Sequence, residues 1–97
     1  MVRHVVLFTW VEGVTAAQVA AVGAALDTLP PAVPSIRAYT HGANLGFGPG
    51  RADYAVVADF DDEAGWRAYD EDPRHNQVRS QVIAPLVASR AAIQLAL

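Results

Sequence analysis

His75 and Tyr69 are the residues best suited to chemistry in this chain of 97 residues. The pair Asp72-Pro73 has the form of an N-cap followed by a proline at the first helical position, which puts His75 at the third. There the free backbone amides oppose protonation of the ring, so a neutral imidazole able to accept a proton is expected. Tyr69 lies six residues earlier, and a break at Asp72-Pro73 would turn both side chains toward one cavity. A phenol can donate a hydrogen bond to a developing enolate. His4 shares strand phase with Val6, Phe8 and Trp10, and Tyr39 and Tyr54 could face the same space. Each has a plainer reading: a histidine packed at a helix start, tyrosines with hydroxyls at the core rim, and a hydrogen-bonded core histidine.

Other chemistries find no support. The chain has no cysteine, hence no thiolate nucleophile and no disulfide. His4, His41 and His75 lack the spacing of metal ligands, so no metal is expected. Gly46-Phe47-Gly48-Pro49-Gly50 lacks the Lys-Ser/Thr of a phosphate loop, and no motif calls for a cofactor. A formal charge of −3 with seven scattered arginines argues against nucleic acid as a partner. No apolar run approaches the ~20 residues of a membrane span, so a cytoplasmic protein without membrane contact is expected. Arginine without lysine, beside abundant alanine and valine, suggests a GC-rich bacterial genome.

The elements that must position these residues can be read along the chain. Residues 2–11 form a strand, and Thr15-Ala16-Ala17-Gln18 has capping-box spacing that opens a helix over 15–28, closed by Pro30-Pro31. An edge strand follows at 36–44, then a glycine-rich connection and a strand at 52–60. Asp61-Asp62-Glu63 starts a short helix carrying Trp66 and Tyr69. A second helix runs 73–88 with Val78, Val82, Ile83 and Leu86 inward and Pro85 kinking its last turn, and a final strand occupies 90–97. This order predicts an α+β ferredoxin-like βαββαβ sandwich, with helices on one face of an antiparallel sheet. The expected pocket between the layers is walled by Val6, Phe8, Val22, Leu26, Val56, Val82 and Leu86, with His4, Tyr39, Tyr54, Tyr69 and His75 as its polar points.

The strands are apolar on both faces: Val5, Leu7, Ala55 and Val57 point away from the side that the helices can cover. Another copy of the same sheet is the simplest cover, so a homodimer through this face is expected.

Arg3-His4-Val5-Val6-Leu7-Phe8, Asn44-Leu45-Gly46, Tyr54 to Phe60, and Tyr69 followed by Asp72-Pro73-Arg74-His75 together resemble the stress-responsive dimeric A/B barrel (Dabb) family across the single domain 1–97. The resemblance implies two ferredoxin-like protomers joined sheet to sheet into a dimeric α/β barrel. Its members include a plant polyketide cyclase, olivetolic acid cyclase; the matching positions make His75 the base and Tyr69 the carbonyl-orienting phenol, with His4 a further pocket histidine. That implies binding of a small, apolar, carbonyl-bearing, polyketide-like molecule, with cyclase-like acid–base chemistry if the protein is an enzyme. The alternatives are a non-catalytic stress-associated dimer, and a cofactor-free monooxygenase or isomerase.

Overall fold

The computed structural model describes residues 1–97. Strand β1 (Val2–Trp10) leads through a turn at Gly13, whose φ of 86° suits glycine, into helix α1 (Ala16–Asp27). The capping box forms: the Thr15 hydroxyl accepts from Gln18 N while the Gln18 side chain accepts from Thr15 N. Pro30 and Pro31 do more than end this helix. They occupy the first turn of a short helix α2 (Leu29–Ala32), where a proline's missing N–H costs nothing.

Strand β2 (Ala38–Ala43) and strand β3 (Tyr54–Phe60) are joined by a loop that Asn44 organises, its side chain donating to Ala52 O and accepting from Gly46 N. Helix α3 (Glu63–Glu71) is capped by Asp62, and helix α4 (Pro73–Val78) by Asp72 with Pro73 in its first turn.

Beyond Val78 the expected helix over 73–88 does not continue. Arg79–Ile83 form a π-helical turn, with Ala84 N donating to Arg79 O, and Ala84–Leu86 form a 3₁₀ turn. Pro85 accounts for the change, because it has no N–H for the next helical bond and its ring crowds the preceding turn. Strand β4 (Val87–Ala96) therefore starts three residues earlier than the expected Arg90.

The sheet has the antiparallel order β2-β3-β1-β4 of a ferredoxin-like α+β fold. Its register sorts the side chains. His4, Val6 and Phe8 stand beside Ala58, Val56 and Tyr54 of β3 and beside Gln94, Ala92 and Arg90 of β4, under the helices. Val5 and Leu7 stand beside Val57 and Ala55, and beside Ile93 and Ala91, on the open face. The core lies between the covered face and the helices, around Phe60, Leu26, Leu29, Val22 and Val33. No helix is long and apolar enough to cross a membrane.

Candidate functional site

One cavity of about 90 Å³ opens between the helical layer and the covered face of the sheet. Strand β1 supplies His4, Val6 and Phe8, α1 supplies Leu26, β3 supplies Val56, α3 supplies Tyr69 and α4 supplies His75. The irregular segment and β4 complete the wall with Arg79, Ile83, Ala84, Val87 and Arg90.

His75 is buried, and its Nδ1 lies 2.9 Å from the main-chain oxygen of Tyr69. A carbonyl can only accept, so Nδ1 carries the proton and Nε2 keeps its lone pair. The ring also stacks on Tyr69, with centroids 3.9 Å apart and planes 25° from parallel. Burial holds the His75 pKa below the usual 6.5 and the Arg79 charge adds to the effect, while hydrogen bonds to Tyr69 and Asp70 oppose it. The direction is that expected for a helix-start histidine; the leading cause is desolvation.

His4 is held in the other tautomer. The Gln94 amide donates to Nδ1 at 2.8 Å, so the ring proton lies on Nε2. Burial, then the charges of Arg90 and His75, push the His4 pKa down to about 4. The ring is thus neutral at pH 7. Neither Nε2 has a hydrogen-bond partner and neither is sealed from solvent, so the cavity holds one imidazole acceptor and one imidazole donor.

Tyr69 and Tyr39 share a hydrogen bond of 2.9 Å between hydroxyls. Burial raises both phenol pKa values, keeping them protonated, and either hydroxyl can be the donor in this bond.

Five expected lining residues stand outside the cavity. Val22 is fully buried in the core, and Tyr39 lies behind Tyr69. Tyr54 is taken up elsewhere: its hydroxyl lies 2.7 Å from His41 Nδ1, and His41 Nε2 donates to Asp27 at 2.7 Å. A carboxylate only accepts, so His41 Nε2 carries a proton, and the Tyr54 hydroxyl is engaged by the ring's Nδ1. Val82 and Leu86 pack against the core, but the π turn changes the residues that face the cavity to Arg79, Ile83, Ala84 and Val87. The arginines could not be read from helical periodicity. Arg90 reaches this face only because β4 pairs it with Phe8.

The sequence profile described as the stress responsive A/B barrel domain matches residues 2–96. No curated protein matches the chain. Among solved structures, it is similar to a dimeric ferredoxin-like protein of unknown function from Thermobifida fusca, with 47% identity over 99% of this chain and 90% of that one and a TM-score of 0.91. It is also similar to a dimeric ferredoxin-like protein of unknown function from Bacteroides fragilis, with 25% identity over 99% and 95% of the two chains and a TM-score of 0.84. The hydroxynitrile lyase of Passiflora edulis shares the fold, with 16% identity over 99% and 92% of the chains and a TM-score of 0.86. With the profile spanning nearly every residue of a fold that its dimeric relatives share, the chain belongs to the stress-responsive A/B barrel (Dabb) family.

Proposed function

We propose that this protein is a homodimer that binds a small carbonyl compound between helices and sheet and moves a proton at the carbon next to the carbonyl. The observation that carries the reading is the pair of neutral histidines on one cavity, fixed in opposite tautomers. His75 Nε2 takes the proton from carbon. The C–H electron pair moves to the carbonyl oxygen, and the resulting enolate accepts hydrogen bonds from His4 Nε2–H and Tyr69 O–H. Cyclisation of a carbonyl chain would use the same enolate. The Passiflora hydroxynitrile lyase is an enzyme on the same architecture, which supports the fold as a host for catalysis.

Volume narrows the substrate. At about 90 Å³ the cavity is small, which favours a short ketone or oxo acid over a long polyketide. The dimer rests on the open face: the chain exposes 5773 Å², against about 5,400 Å² expected for a folded monomer of its mass. Leu7, Ile93 and Leu95 of this face are among the exposed large apolar side chains.

Deuterium exchange next to the carbonyl of short ketones and oxo acids, followed by proton NMR, tests the reading. Exchange above the buffer rate, reduced by about 10²–10⁴-fold in His75→Gln, is expected. Absence of both exchange and ligand-induced thermal stabilisation would favour a second reading, a non-catalytic dimer whose cavity is a packing remnant. The small cavity is the observation on that side.

A further inference from the structure

We infer that the ligand carries a carboxylate and that Arg90 is the residue that selects it; the inference rests on the carbonyl-binding reading above and adds the substrate class. Five of the seven arginines are paired with acids: Arg3 with Asp59, Arg37 with Asp61, Arg67 with Glu63, Arg74 with Asp72 and Arg79 with Asp70. Arg51 and Arg90 have no such partner, and of these Arg90 lines the cavity. A guanidinium with no acidic partner at the rim of an apolar cavity is open to a planar anion, and a carboxylate matches its fork with two parallel hydrogen bonds.

The surroundings point the same way. The twelve lining residues include two arginines and no aspartate or glutamate, although the chain as a whole is acidic. Arg79 is already held by Asp70 and Asn76, so it contributes field rather than a free fork. Arg90 stands on the edge strand β4 opposite Phe8, at the exposed rim, while His4 and His75 are buried. A ligand with its carboxylate at Arg90 and its carbonyl at the histidines is a short oxo acid, in keeping with the small cavity.

Three probes of nearly equal size separate the parts of this inference in an NMR titration of the full chain: acetoacetate, its neutral analogue 2,4-pentanedione, and butyrate, which lacks the ketone. Acetoacetate is expected to bind at least tenfold more tightly than either of the others. Arg90→Gln should bring the acetoacetate-to-pentanedione ratio close to one, and Arg90→Lys should restore part of it. Because Arg90 is exposed on the rim, these variants are expected to fold. Pentanedione binding as tightly as acetoacetate, or a ratio that Arg90→Gln does not change, overturns the carboxylate inference alone. Butyrate equal to acetoacetate overturns the oxo-acid class and removes the ketone from the underlying reading. Inorganic phosphate displacing acetoacetate at equal concentration would reduce the site to a general anion site and also overturn the assignment. If none of the probes binds, both the reading and the inference fall.

Discussion

The two faces of the one sheet are both apolar, but they are finished differently. On the covered face the aliphatic side chains are interrupted by His4, Tyr39, His41 and Tyr54, and each of these polar groups has a hydrogen-bond partner in a fixed geometry. The open face carries Val5, Leu7, Ala55, Val57, Ile93 and Leu95, and its charged groups include the cross-strand pair Arg3–Asp59, two contacts of 2.8 and 2.9 Å. Chemistry requires oriented polar atoms in a partly dry space, whereas association requires area and shape. The alternation of one strand thus delivers two surfaces of different character, His4 on one and Val5 on the other.

The largest effect is expected from making the open face polar. Leu7→Asp and Ile93→Asp together should convert the dimer into a monomer and abolish the dependence of stability on protein concentration, since each large apolar side chain left wet forgoes roughly 1.5–3 kcal/mol. Light scattering with denaturation at two concentrations reads both. A wild-type chain that is a folded monomer at micromolar concentration would remove the association purpose from this face.

Acid separates the faces more gently, because His4 lies on the covered one and His75 lines the cavity above it. His4 and His75 have pKa values below 6.5 in the folded state, so between about pH 4 and 6.5 the unfolded chain binds more protons and stability rises with pH. Urea midpoints should therefore fall as pH drops from about 6.5 toward 4 and stay level just above that window. In His4→Gln the fall should be shallower. Asp59, whose carboxylate Arg3 holds below its usual 3.8 chiefly through the hydrogen bond, adds its own loss only at lower pH. An equal slope in His4→Gln would mean that the ring is not held neutral.

The smallest effect probes how rigidly the covered face is set. A Cβ on Gly23 would meet the Tyr54 hydroxyl at 3.3 Å and His41 Cε1 at 3.7 Å. Gly23→Ala gains roughly 1 kcal/mol of helix propensity, offset by the displacement of a hydroxyl that is tied to His41. A net change within about 1 kcal/mol is expected, with a shifted His41 ring resonance. A larger loss would show that this face tolerates no adjustment.

The parts of this molecule legible in the sequence are those set by local chemistry. Thr15 with Gln18, and Asp72 with Pro73, mark helix starts because the capping atoms lie within a few residues of the amides that they satisfy. Alternation in β1 and β3 likewise assigns faces without reference to anything distant. The candidate site was only half legible for the converse reason. His4 takes its tautomer from Gln94, ninety residues away, and Arg90 enters the cavity through a strand register. Val82 and Leu86 were misplaced because helical periodicity assumes the same turn throughout, and the chain changes its turn at Arg79. His41 carried no signal, since its partners Asp27 and Tyr54 come from α1 and β3.

That change of turn has an evolutionary side. A π turn holds one residue more than the α-helical turn that it replaces, and here it brings Arg79, Ile83 and Ala84 to the cavity wall. Losing a single residue between Ser80 and Val82 would turn this π turn into an α-helical one, and the residues from Val82 to the start of β4 would rotate by about 100° relative to His75. The sheet and the caps would be untouched. Length variation of one codon at this point would therefore reshape the cavity wall while keeping the same fold.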